Sequence, residues 1–254
     1  MSGHSKWSTI KRKKGAADAK RGALFGKLSR AITVAAREGG GDVEMNPALG
    51  LAVHKAKAGN MPNDNIQRAI DKGTGAGADA DAFERITYEG YAPGGVAVLV
   101  DVLTDNRNRA ASDVRYIFSK NGGKLGTSGS VAYLFERKGV ILVPKDSTDE
   151  DELMEVALEA GADDVEEHQN DYRVVTTPEG FTAVRDALAE ADIAFENAEI
   201  TMEPQNSVDL DASTAKQTLR LIDALEENDD VQEVYANFDI SDEVMAVTID
   251  EEVT

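Results

Sequence analysis

The chain has no cysteine among its 254 residues. Disulfides, thiolate nucleophiles and Cys-ligated metals are therefore excluded. Histidine is scarce as well. His4, His54 and His168 are isolated, with no pair at metal-ligand spacing, and each reads as a structural residue. No stretch approaches the roughly 18 apolar residues of a membrane helix. The N-terminus lacks the apolar segment of a secretory signal. There is no P-loop and no dinucleotide fingerprint. Gly123-x-x-Gly126-x-x-Gly129 is glycine-rich, but its spacing suits turns. The runs Asp149–Glu152 and Glu226–Asp230 lack the glycine and spacing of a calcium loop, and read as solvated faces and helix starts. These absences predict a cytoplasmic protein with no catalytic residue, no metal, no cofactor and no membrane partner.

Acidic residues are scarce only at one end. The first 37 residues hold ten Lys or Arg and one acid, Asp18, on a chain of net charge −20. Residues 1–75 carry +8, residues 76–143 are neutral, and residues 144–254 carry −28. A basic end on a chain that otherwise repels polyanions points to phosphate. Three charge regimes also point to more than one domain.

Residues 2–17 have no sustained apolar period and read as an arm disordered when alone. Asp18–Arg37 reads as a helix. Leu24, Leu28, Ile32 and Ala35 form its apolar arc, and Lys20, Lys27, Arg30 and Arg37 form a cationic one. Gly39-Gly40-Gly41 stops it. Asn46-Pro47 opens a second helix as N-cap and first-turn proline. A third follows Pro62, packs Ile66, Ala69 and Ile70, and ends at Gly73. Thr74–Ala82 is a linker.

The period then changes. Glu84–Tyr91 and Val96–Thr104 read as strands, Asp105–Asn121 as a helix and Ser130–Phe135 as a strand. Val140–Val143, Asp149–Ala160, Asp163–His168, Tyr172–Thr176, Pro178–Ala191 and Ile193–Met202 spell βαββαβ, the ferredoxin-like order. A short strand near Val208, a helix Ser213–Glu226 and a strand Val231–Phe238 cannot form a domain alone. They are expected to complete the sheet begun at residue 84. The fold class is thus α+β multidomain. It has a three-helix N-terminal domain and two α/β domains, the third inserted into the second. The expected boundaries are 1–17 for the arm, 18–77 for the helices, 78–137 with 205–254 for the discontinuous domain, and 138–204 for the insert.

The candidate nucleic-acid-binding residues are Lys6, Trp7, Lys11, Arg12, Lys13, Lys14, Lys20, Arg21, Lys27, Arg30, Arg107 and Arg109. A solubilising tail is not needed at −20, so phosphate binding is the better reading of Lys11–Lys14. Trp7 either stacks on a base or pins the arm to the helices. Arg107 and Arg109 stand at a helix N-terminus, where anions are favoured. They either touch nucleic acid or pair with Asp105 or Asp113. No zinc finger, RNP aromatics or recognition helix is visible.

Several long motifs resemble the YebC/PmpR family, whose eukaryotic relatives include the mitochondrial translational activator of cytochrome c oxidase subunit I. They are Gly3–Trp7, Lys20-Arg21-Gly22, Lys55–Ala58, Asn60-Met61-Pro62, Asp64-Asn65-Ile66, Tyr88–Tyr91, Leu103–Arg109 and Gly129–Tyr133. The resemblance runs nearly end to end. It implies the domain order inferred above. For bacterial members it implies a DNA-binding transcriptional regulator; other members act in translation, on the ribosome or on mRNA. The sequence departs from the family's basic pattern at Ala23, Ala48, Gly50, Asn63 and Asp71, which shifts weight from the second and third helices to the arm and first helix. The expected function is a non-enzymatic nucleic-acid-binding regulator, with DNA as first target. The alternatives are a translation factor on rRNA or mRNA, and an adaptor that binds protein partners through the acidic C-terminal half.

Overall fold

The computed structural model describes residues 18–75, 83–168, 170–241 and 244, with side chains from Arg21 onward. They form two compact units. One takes the described residues up to Leu134 together with those from Pro204 on; the other is Phe135–Glu203.

The first unit opens with three helices, α1 (Asp18–Gly39), α2 (Pro47–Ala58) and α3 (Asn63–Thr74). α1 stops where Gly40 takes φ 88°, a left-handed conformation that glycine adopts without strain. Asn46 caps α2 as its sequence predicts: its Oδ1 accepts from the Leu49 N–H at 3.1 Å. Its Nδ2 ties the cap to the Ala35 and Gly40 carbonyls, both at 2.8 Å. Leu28, Ile32, Leu49, Val53, Ile66 and Ile70 fill the core between the helices. Leu24, expected on the apolar arc, is 41% exposed. It lies one turn before the point where α2 and α3 cover α1. α1 and α3 approach closely at Gly73, where a Cβ would collide with the Thr33 carbonyl and come within 2.8 Å of Ala36 Cβ.

An α/β domain continues the unit with β1 (Glu84–Tyr91), β2 (Ala97–Thr104), α4 (Arg107–Lys120) and β3 (Lys124–Leu125). The second unit follows as β4 (Phe135–Pro144), α5 (Glu150–Glu159), β5 (Asp164–Glu167), β6 (Asp171–Thr176), α6 (Phe181–Glu190) and β7 (Asn197–Pro204). The chain returns as β8 (Val208–Asp209), α7 (Ala212–Glu226), β9 (Val231–Ala236) and β10 (Phe238–Asp239). The first sheet has the order β3-β1-β2-β9, so strands from before and after the second unit share it. That is the expected insertion. β2 is the central hydrophobic run. Val98, Val100 and Val102 pack with Val114 and Phe118 of α4 and with Leu219 and Ile222 of α7. The second sheet has the order β5-β6-β4-β7, the ferredoxin-like arrangement that βαββαβ implies.

Three local expectations are corrected. Ser130–Phe135 is not a strand; its middle, Ala132–Leu134, is a 3-10 turn, and β4 begins at Phe135. The cause is Glu89. This buried carboxylate accepts from the N–H groups of Gly129 (2.6 Å), Val131 (2.8 Å) and Ala132 (2.8 Å), which curls the segment away from any ladder. The strand expected over Ile193–Met202 begins only at Asn197, because Asp192 turns left-handed (φ 56°) and Ile193 is buried against the unit's core. The strand expected over Val231–Phe238 breaks at Asn237. Its Oδ1 accepts from the Ala97 N–H at 2.7 Å and its Nδ2 donates to Asn206 at 3.2 Å. The chain resumes as β10, parallel to β8.

Candidate nucleic-acid interface

Two helices line a basic groove in the first unit. From α1 come Gly26, Ser29, Arg30 and Thr33; from α3 come Asn65, Arg68, Ala69 and Lys72. Each set falls at i, i+3, i+4 and i+7, one face of a helix. The small members Gly26, Ser29 and Ala69 leave open a groove of about 500 Å³. Phe83, at the start of the α/β domain, completes its lining.

The cations of this groove differ in what holds them. The Arg30 guanidinium donates to the Leu103 carbonyl at 3.2 Å, the Asp229 carbonyl at 2.9 Å and the Asp230 carboxylate at 3.0 Å. Its flat face lies 5.3 Å from the Phe83 ring centroid, a cation–π contact. Arg68 donates to the Asp64 carbonyl at 3.1 Å and to the side-chain oxygen of Asn65. Arg68 and Lys72 are exposed. Among the described residues, no carboxylate stands at ion-pair distance from either.

The residues expected to meet nucleic acid are distributed as follows. Lys6, Trp7, Lys11, Arg12, Lys13 and Lys14 lie outside the described residues, and so does the Lys20 side chain. Arg21 is exposed on α1. Lys27 donates to the Glu226 carbonyl, and Lys55, not among the expected residues, pairs with Glu233. Arg109 bridges Asp105 at 2.7 Å and Asp230 at 2.9 Å. Arg107 is 71% exposed and lies 4.0 Å from Glu84. Lys27, Arg30 and Lys55 therefore fasten the helices to the segment 226–233. Arg68, Lys72 and Arg107 are exposed.

Asp230 is the centre of that fastening. Burial pushes its carboxyl up. Hydrogen bonds from Arg109 and Thr104, with the charges of Arg109 and Arg30, outweigh burial and hold the group below its ordinary value. The same carboxylate holds the Arg109 guanidinium firmly protonated. Glu89 behaves alike: burial would raise it, and the N–H groups of Val131, Gly129 and Ala132 bring it down.

Arg68, Lys72 and Phe83 were not among the residues expected from the sequence. The signal for the first two was the spacing of Asn65, Arg68, Ala69 and Lys72 along α3. Phe83 carries no such signal, because its place depends on the tertiary contact with Arg30. Among the described residues, no group of three or more His, Asp or Glu side chains is placed to hold a metal ion. No helix among them is long and apolar enough to cross a membrane.

Two family models match the chain. One, described as the TACO1/YebC protein N-terminal domain, covers residues 5–76; the other, the TACO1/YebC second and third domain, covers residues 83–238. A protein of Rubrobacter xylanophilus is 78% identical over 246 residues, covering 97% of this chain and 98% of its own. One of Syntrophobacter fumaroxidans is 59% identical, covering 96% and 98%. Both are named "Probable transcriptional regulatory protein". The crystal structure of a conserved hypothetical protein from Aquifex aeolicus superposes with a TM-score of 0.78 at 50% identity, covering 89% of this chain and 93% of that one.

Proposed function

We propose that this chain, which belongs to the TACO1/YebC family, is a non-enzymatic, cytoplasmic, DNA-binding regulator of transcription. The observation that carries the reading is charge segregation: +9 over the first 37 residues of a chain at −20. The names of its relatives support it. The arm, through Lys6 and Lys11–Lys14, supplies most of the attraction to phosphate, and Arg21 and Arg107 extend it over the body. Lys27 and Arg30, candidates on sequence grounds, contribute by position: they hold the helices against the α/β domain, while Arg109 anchors the Asp230 carboxylate that Arg30 grips.

Mobility shifts on promoter fragments with purified protein, together with recovery of the protein on chromosomal DNA, test this reading. Retarded complexes that dissolve with rising salt, and enrichment at promoters, are expected. Sedimentation of the protein with RNase-sensitive ribosomal fractions, without enrichment on DNA, would transfer the same surface to translation.

A further inference from the structure

We infer that the groove between α1 and α3 is a binding site for single-stranded nucleic acid, with one base stacked on Phe83 and the flanking phosphates held by Arg68 and Lys72. The inference rests on the nucleic-acid-binding reading above and specifies the form of polymer that the body of the protein takes.

The groove combines the two elements that single-strand sites use, an aromatic platform and neighbouring cations. Phe83 provides the platform. Arg30 covers the ring at 5.3 Å and is itself held by Asp230 and by two carbonyls, so the platform is braced in place. Arg68 and Lys72 stand one turn apart on α3 and have no carboxylate partner among the described residues. They are the cations left for a ligand. Ser29 and Asn65 add polar groups for a base edge or a sugar hydroxyl.

Size and charge argue against a duplex in this place. A volume of about 500 Å³ is that of a small-ligand cleft. A stacked duplex keeps its base faces covered and offers Phe83 nothing to stack on. The arc of α3 next to the groove exposes Asp64 and Asp71. A duplex laid along the helix would bring its phosphates against these acids. A strand threaded into the groove passes on the cationic side.

The test is fluorescence anisotropy with labelled oligo-U RNA, oligo-dT of the same length and a 20-base-pair duplex, over a salt series. The full-length protein is compared with Phe83→Leu, Phe83→Tyr and the double variant Arg68→Ala/Lys72→Ala. Phe83→Leu keeps apolar volume and removes the ring, so single-strand affinity should fall roughly five- to a hundredfold. Phe83→Tyr should restore it, which a purely packing role would not require. The double variant should flatten the single-strand salt slope by about 1.4, from ~0.7 per phosphate contact. Duplex affinity should change by less than threefold in all variants. The two single-strand probes show whether the sugar hydroxyl matters. If the wild-type protein binds single strands and these variants bind them as well as wild type, the groove is not the site, while nucleic-acid binding itself stands. Equal losses for duplex and single strand would overturn the single-strand assignment. A wild-type protein that binds none of the three probes near physiological salt would overturn this inference and the broader reading together.

Discussion

Asp230 and Glu89 show how single carboxylates organise this protein. Asp230 accepts from Arg30, Arg109 and Thr104. Asp230→Ala removes the shared acceptor and leaves the Thr104 hydroxyl and two guanidinium groups without it. A loss of about 2 kcal/mol in unfolding free energy is expected from urea titration, since hydrogen bonds to charged groups contribute ~1.5–3 kcal/mol. The sign of the pH effect follows from the depressed carboxyl. Its stabilisation is present above the ordinary 3.8 and is lost as pH falls from there through the folded-state value. The Asp230→Ala protein should therefore lose less stability than wild type between pH 5 and pH 2, in the region of ~3.8 and below, by circular dichroism melts. Glu89→Ala leaves three loop N–H groups without their acceptor. Faster amide exchange at Gly129, Val131 and Ala132 is expected, with a loss of roughly 2–3 kcal/mol. Neither role was legible in the sequence. Asp230 reads there as one member of an acidic run, and Glu89 as a strand residue. Partners some 40 to 200 positions away make each what it is.

At the scale of elements, what a local signal specifies was legible. The Asn46-Pro47 cap, the glycine stop after α1, the hydrophobic run of β2 and the βαββαβ order all rest on neighbouring residues, and the structure contains each of them. The miscast segment 130–135 has an apolar and aromatic composition that suits a strand, but its N–H groups are claimed by Glu89 from another strand. The groove face of α3 was half legible. Its spacing of polar and cationic residues is present in the sequence, but opposing it to α1 requires the helix crossing. That crossing depends on Gly73. Gly73→Ala should destabilise the helical domain by about 1–3 kcal/mol through overpacking against Thr33 and Ala36. Heteronuclear NMR should show shift changes concentrated in α1 and α3, and single-strand affinity should fall as the groove deforms.

At the scale of the molecule, charge is separated along the chain, and binding should follow that separation. Removing residues 1–16 deletes five lysines and arginines, Lys6 and Lys11–Lys14. The log-affinity versus log-salt slope for duplex DNA should then flatten by about 4–5, from ~0.9 per contact. The melting temperature should hardly move, because a segment without apolar period has little core to lose. Full retention of slope and affinity in the truncated protein would remove the arm from the binding surface. The sheet order β3-β1-β2-β9 has a consequence for how the protein is made. Val102 pairs with Val231, so β2 must wait for a partner about 130 residues downstream, a span whose closure by an unstructured chain carries an entropic cost. At ~5–20 residues per second of synthesis, the wait lasts on the order of ten seconds. Among the described residues, the strands of the intervening βαββαβ segment pair with one another, so it can fold as it emerges. Once folded, it brings its two ends into neighbouring strands, β4 beside β7, and so delivers β9 toward β2 over a far shorter effective loop. The insert then serves as a splint during synthesis. A chain whose insert cannot fold should leave the ribosome with β2 uncovered and enter inclusion bodies, even though every residue of the first sheet is intact.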